Sequence, residues 1–282
     1  MGHETGYEGT ENVGKWVPEN SATNVEAQVV AYAIGRYLQM SRLVVPSAYH
    51  QGNGAMLEKF RAFMQNAVEK NKWRIINRDN LLAALARNPQ TMLGVVTMDI
   101  RNEEVASLVD AARNTINSAH PVAQFIRADG ARPSPTAMMS FAGVKTRDGK
   151  TPVNTELLLA REFSQIMVLD ILCGQWDRWS GGNVEATWSK EGELHFIARD
   201  NGGAALSSST QVSKYLQIVS RFDRAQIERV RALEQALAAD PDGTAKSLKM
   251  WTKPKALQGR IRALLAHVEA MRARYGDAQV FF

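Results

Sequence analysis

The stretch from residue 156 to residue 203 constrains this chain more than any other. An apolar helix, Glu156 to Leu172, delivers a loop that carries Asp177 and, six residues on, Asn183. A hairpin follows, because Thr187-Trp188 and Leu194 to Ala198 flank the turn residues Lys190-Glu191-Gly192. The end of that ribbon presents a second carboxylate, Asp200, directly before Asn201-Gly202-Gly203. Phosphoryl transfer needs such a set: one carboxylate orients or deprotonates the attacking hydroxyl. An amide oxygen and another carboxylate hold the divalent cations that neutralise phosphate charge. Asp and Gly also mark ordinary turns, and either motif alone reads as one. Both together, in this order and separated by a hairpin, read as a phosphate-handling site.

Protein kinases arrange these groups as His-Arg-Asp-x-x-x-x-Asn followed by Asp-Phe-Gly. Here the first Asp is followed by Arg178, the Asn comes one residue later, and Asp200-Asn201-Gly202 replaces Asp-Phe-Gly. Gln175-Trp176-Asp177-Arg178 followed by Arg199-Asp200-Asn201-Gly202 resembles the atypical protein-kinase-like families. The nearest are the secretory-pathway kinases related to four-jointed. The actin-fragmin and phosphoinositide-kinase-like branches and the bacterial HipA-type kinases are more distant. The specific match covers about 35 residues, with a looser match of strand and helix order beyond it. The resemblance implies that Asp177 is the catalytic base and that Asn183 and Asp200 hold metal. It also implies ATP and Mg²⁺ or Mn²⁺ as cofactors, with a protein Ser or Thr as the expected acceptor. A small hydroxyl substrate, AMP transfer in place of phosphoryl transfer, and a catalytically dead binding protein are the alternatives. The chain departs from the family after Asp-Arg, where Trp179-Ser180-Gly181-Gly182 stands in place of polar residues.

Kinases pair a strand Lys, which contacts the α- and β-phosphates, with a Glu on the next helix. Val13 to Val17 reads as a strand stopped by Pro18, so Lys15 is the candidate Lys. Glu26, on the helix that follows, is its candidate partner, with Glu19 as an alternative. Ser21 or Thr23 can cap that helix, whose apolar face runs through Val29, Val30, Ala33, Ile34 and Tyr37. Only 14 residues precede Lys15, too few for two strands and a glycine loop. Gly6, Gly9 and Gly14 do not follow Gly-x-Gly-x-x-Gly, so the nucleotide cover is reduced, differently built or missing from this chain.

Elsewhere the patterns predict a strand at Leu43-Val44-Val45-Pro46 and helices at Ala55 to Glu69, Asn80 to Ala86 and Glu103 to Ile116. A further strand is expected at Val122 to Ile126, loops at 129–135 and 143–153, and helices at Arg224 to Ala239 and Lys255 to Tyr275. The fold class that results is α+β. By resemblance it is a two-lobed protein-kinase-like fold with a reduced N-terminal lobe, 1–127, and a helix-rich C-terminal lobe, 128–282.

Composition serves mainly to exclude. Apolar residues make up 45% and charged residues 22% of 282, which argues against a disordered or coiled-coil protein. A single cysteine, Cys173, excludes an internal disulfide framework and a Cys-rich zinc site. It reads as core rather than nucleophile. His50, His120, His195 and His267 lack metal-ligand spacing, and neither a Gly-x-Ser-x-Gly elbow nor a Walker A motif occurs. The formal charge is +5, but Glu228, Glu234, Asp240, Asp242 and Glu269 interleave with the Arg-rich segment 221–274. That segment reads as a solvated helical surface, and no nucleic-acid partner is expected. No run is long enough to predict a transmembrane segment. The polar start, Met1 to Thr10, does not read as a secretory signal. The expected localisation is the cytoplasm, or export by a route without a cleaved signal peptide.

Overall fold

The computed structural model describes residues 14–20, 23–66, 72–87, 90–100, 104–110, 113, 115–129, 146, 149–153, 156–179, 183–208 and 212–282. The N-terminal part is built from β1 (Gly14–Pro18), α1 (Val25–Tyr37), β2 (Ser47–Gly52), α2 (Gly54–Asn66), α3 (Lys72–Arg87) and β3 (Met92–Met98). The three strands form one sheet in the order β1-β3-β2, with β3 antiparallel to both neighbours. Its register sets Lys15, Thr97 and Ser47 side by side, and Val17, Val95 and Tyr49 in the next row of the same face. That second row packs on Val25 and Val29 of α1. On the opposite face Trp16 meets Phe60 of α2 edge to face at 5.5 Å. The indole lies across Gly94, where a Cβ would fall 2.4 Å from Trp16 Nε1. Only glycine fits beneath it.

The remainder comprises β4 (Val109–Asp110), β5 (Thr115–Ile116), α4 (Pro121–Phe125), α5 (Glu156–Cys173), β6 (Val184–Trp188), β7 (Leu194–Ala198), α6 (Val212–Leu216), α7 (Arg224–Ala239), α8 (Pro241–Ser247), α9 (Lys255–Tyr275) and α10 (Asp277–Val280). α5 is largely buried, with apolar side chains such as Leu159, Phe163, Ile166, Met167 and Ile171 in the core. Ala27, Val30, Ala31 and Ile34 of α1 belong to the same core as Phe163, Met167, Ile261 and Leu264. One helix therefore carries the sheet on one side and joins the helical body on the other. Among the described residues no helix is long and apolar enough to cross a membrane.

Several expected elements differ. α1 is capped by Asn24, whose Oδ1 accepts from Ala27 N at 3.0 Å, rather than by Thr23; Ser21 lies outside the described residues. Residues 43–46 are not a strand: a single 3₁₀ turn, Ser41–Leu43, leads to one bridge between Val44 and Ala198. β2 begins only after Pro46, which has no N–H to pair. The expected helix at 103–116 is replaced by the β4–β5 pair. Its chain breaks at Ser107, φ +58°, and turns where Asp110 accepts from Arg113 N. The expected strand at 122–126 is the short helix α4, because His120 Nδ1 caps Val122 N and Pro121 occupies the first turn. β3, rich in β-branched residues, was not expected at all. The 187–198 hairpin, α7 and α9 stand where the sequence pattern places them.

The elements around residue 178 are tied by one side chain. Arg178 is fully buried, and its Nη2 reaches Asp170 Oδ1 of α5 at 2.7 Å. The same guanidinium donates to the carbonyls of Asn183 (2.7 Å) and Arg199 (2.6 Å) and to Asn201 Oδ1 (2.6 Å). Removing one member of a buried pair leaves the other as an uncompensated charge, at a cost of about 3–5 kcal/mol. Asp170→Ala should therefore lower unfolding free energy by about that amount in urea titrations. Asp170→Ala combined with Arg178→Met should recover part of the loss.

Candidate active site

A cavity of about 470 Å³ lies between the sheet and the loops on either side of the β6–β7 hairpin. Lys15, Val17, Val95 and Thr97 line it from the sheet, Gln28 from α1, and Asp177, Arg199 and Asp200 from the opposite wall. Phe60, Phe63, Met64 and Leu81 of α2 and α3 give it an apolar end.

The opposite wall is built by short-range hydrogen bonding. Gln175, buried at the end of α5, accepts with Oε1 from the amides of Trp176 (3.0 Å) and Asp177 (3.1 Å). Asn183 donates from Nδ2 to the Asp177 carbonyl at 2.6 Å and to Asp177 Oδ2 at 3.4 Å. Asp177 is thus held from behind by an amide on each side. Gly203 makes its closest approach possible, since a Cβ there would fall 2.8 Å from Asp177 Cβ. Asp200 sits at φ 45°, ψ 50°, the left-handed region that Asp tolerates better than most residues. Its strained turn ends the β7 strand and leaves the carboxylate exposed beside the cavity.

The structure brings Lys15, Asp177 and Asp200 to one cavity. Asn183 stands behind Asp177 and is not among the cavity-lining residues. Glu26 is a correction. Its Oε1 accepts from the amides of Trp251 and Thr252 at 2.6 Å each, and its Oε2 from Thr252 Oγ1 at 2.6 Å. Three donors satisfy that carboxylate beneath the α8–α9 loop, and no ion pair joins it to Lys15. Gln28, two residues on, occupies the cavity side of α1, and its Nε2 donates to Ser47 Oγ at 3.2 Å. Glu19 does not line the cavity either. Gly6 and Gly9 lie outside the described residues, and Gly14 belongs to β1.

Asp170, the other carboxylate near the end of α5, is buried against Arg178 and has no path to a substrate. Cys173 is core, and burial pushes its thiol up to about 12. His195 shares its Nδ1 with buried Glu162 at 2.8 Å. The two tryptophans around Asp177 part company. Trp179 packs against Phe163 and Tyr215, whereas Trp176 is 50% exposed beside the site. Sequence reasoning missed Gln28, Thr97 and Arg199. Thr97 is 4% exposed, and its Oγ1 has no hydrogen-bond partner. Arg199 had one signal, its place directly before Asp200.

Among the described residues no three His, Cys, Asp or Glu side chains cluster as a ready-made metal cage. The oxygen donors at that wall of the open cavity are the carboxylates of Asp177 and Asp200. That set suits Mg²⁺ or Mn²⁺, hard cations that take one or two protein oxygens and complete their shell with water and phosphate.

No family model and no curated protein matches this chain. Solved structures do. A crystal structure of the Golgi casein kinase superposes with a TM-score of 0.60 at 13% identity, covering 95% of this chain and 70% of that one. The Golgi casein kinase with Mn and ADP bound gives 0.56 at 12% identity, with the same coverage of 95% and 70%. The structure of hydra Fam20 with sugar gives 0.55 at 14% identity, covering 95% and 81%. At such identities the likeness establishes architecture: this chain has the kinase-like fold of those proteins.

Proposed function

We propose that this chain is an ATP- and divalent-metal-dependent phosphotransferase that moves the γ-phosphoryl group to a hydroxyl. The observation that carries this reading is the convergence of Lys15, Asp177 and Asp200, from distant parts of the sequence, on one cavity. The fold is that of proteins one of which is solved with Mn and ADP.

The nucleotide base fits the apolar end formed by Phe60, Phe63, Met64 and Leu81. Lys15 meets the phosphates from the sheet as a point charge. Asp200 would hold Mg²⁺ or Mn²⁺ at the cavity, and Asn183, bonded to Asp177 from behind, would position that residue. When bound, the cation supplies neutralisation of phosphate charge. Asp177 accepts the proton of the acceptor hydroxyl. That oxygen bonds to the γ-phosphorus, the bond from the γ-phosphorus to the β–γ bridging oxygen breaks, and its electron pair leaves on ADP. A protein Ser or Thr is the proposed acceptor, and half-exposed Trp176, the residue before the base, offers it an apolar surface.

One observation favours a second reading, nucleotide binding without efficient transfer. The carboxylate expected to hold Lys15 is committed to residues 251–252. Incubation with γ-labelled ATP and Mg²⁺ or Mn²⁺ separates the two: label in protein or phosphate supports transfer, and bound but intact ATP supports the second reading.

Asp200→Ala should abolish metal-dependent ATP binding in calorimetry, and an unchanged affinity would remove Asp200 from the metal site. Asp177→Ala should keep nucleotide affinity and lower turnover by about 10²-fold or more, the loss expected for a positioned base. Equal turnover in variant and wild type would move the base away from residue 177.

A further inference from the structure

We infer that Arg199 is the residue that recognises the terminal phosphate, fixed for that task by Glu185. The inference rests on the phosphotransferase reading. Arg199 follows β7, and its amide still bonds to the Asn183 carbonyl at 3.1 Å, one step beyond the last paired residues. Glu185 of β6 lies two residues past Asn183, the diagonal position where cross-strand side chains meet. There its Oε2 forms an ion pair with Arg199 Nη1.

The pairing leaves a donor surplus on one side. Glu185 is only 7% exposed, so its carboxylate is held by the hairpin and screened from water. A guanidinium has five N–H donors in a rigid fork, and Glu185 engages one of its terminal nitrogens. Arg199 itself lines the cavity, beside Asp177 and Asp200. It pairs with Glu185, which stands outside that lining, and is not spent on Asp200. The result is a preoriented planar cation on the wall that carries the proposed base. Lys15 stands on the facing wall, with the sheet.

The two cations therefore have different targets. Lys15 meets the nucleotide where it enters from the sheet side. Arg199 meets whatever lies next to Asp177, which in an in-line transfer is the phosphoryl group that leaves ADP and joins the acceptor oxygen. A planar fork suits phosphate oxygens, and charge spread over those oxygens in the transition state is what a fixed donor stabilises. Glu185 is a positioning residue that acts through Arg199.

ATP against ADP is the discriminating comparison, because ADP lacks the group Arg199 is assigned to touch. With Mn²⁺ present, Arg199→Ala should weaken ATP binding about tenfold or more while ADP affinity changes less than about twofold, read by calorimetry. Turnover should fall by about 10²–10³-fold, the range for losing one fixed donor. Glu185→Gln should show a smaller loss confined to ATP. Should Arg199→Ala leave buried Glu185 unpaired and fail to fold, the doubly neutral Arg199→Gln with Glu185→Gln decides, and must show the same ATP-selective loss. Equal weakening of ATP and ADP, or no change in either, overturns the assignment of Arg199. A wild-type protein that binds neither nucleotide overturns the phosphotransferase reading itself.

Discussion

The guanidinium of Arg178 carries no exposed surface, yet it bonds to four residues from three separate parts of the chain. α5 contributes the Asp170 carboxylate, the loop before β6 the Asn183 carbonyl, and the end of β7 the Arg199 carbonyl and the Asn201 side chain. These are the segments that bear Asp177, Asn183, Arg199 and Asp200. A charge taken out of water is costly, and the pair is tolerated because Asp170 and three further oxygens satisfy the fork. What such a buried network supplies is geometry. The residue next to the candidate base anchors the turn that carries the candidate metal ligand, so neither can shift without breaking bonds to Arg178.

A second buried cation continues the same logic one layer away. Arg260 of α9 donates Nε to the Leu172 carbonyl at 2.8 Å and Nη1 to the Leu206 carbonyl at 3.1 Å. It ties the end of α5 to the segment after Gly203. Burial lowers its affinity for its proton, and its donors go to backbone carbonyls. The wall of the cavity is thus tied by two arginines, both bonded to α5's last turn.

The facing wall is held by α1. Its N-terminus meets the Asp200 turn, where Asn24 N donates to the Gly202 carbonyl at 3.0 Å. Its first-turn Glu26 grips the loop at 251–252, and Tyr49 of β2 reaches the same loop through a hydroxyl bond to the Lys249 carbonyl at 2.6 Å and a ring stacked on Trp251. The distance between Lys15 on the sheet and the carboxylates opposite is therefore set by α1 and by that loop. A Glu expected to serve the ligand serves the frame.

Local sequence determined the α5 helix, the Lys190-Glu191-Gly192 hairpin, α7, α9 and the order Asp177, Asn183, Asp200, because helix periodicity, turn residues and motif spacing act over a few residues. It also determined that Lys15 lies on a short strand stopped by Pro18. Tertiary structure decided what those patterns could not carry. Glu26 and Gln28 are both polar residues of α1, and only the packing of the 251–252 loop over one of them reserves the other for the cavity. Asp170 and Asp177 are both carboxylates near the end of α5, and only the burial of Arg178 turns the first into a counter-ion and leaves the second at the cavity. The residues 103–116 and 122–126 carry apolar patterns that fit helix and strand alike, and the Ser107 and His120 backbone geometries chose between them. Partner choice between groups far apart in sequence depends on desolvation and contact in the folded chain, which no local pattern encodes.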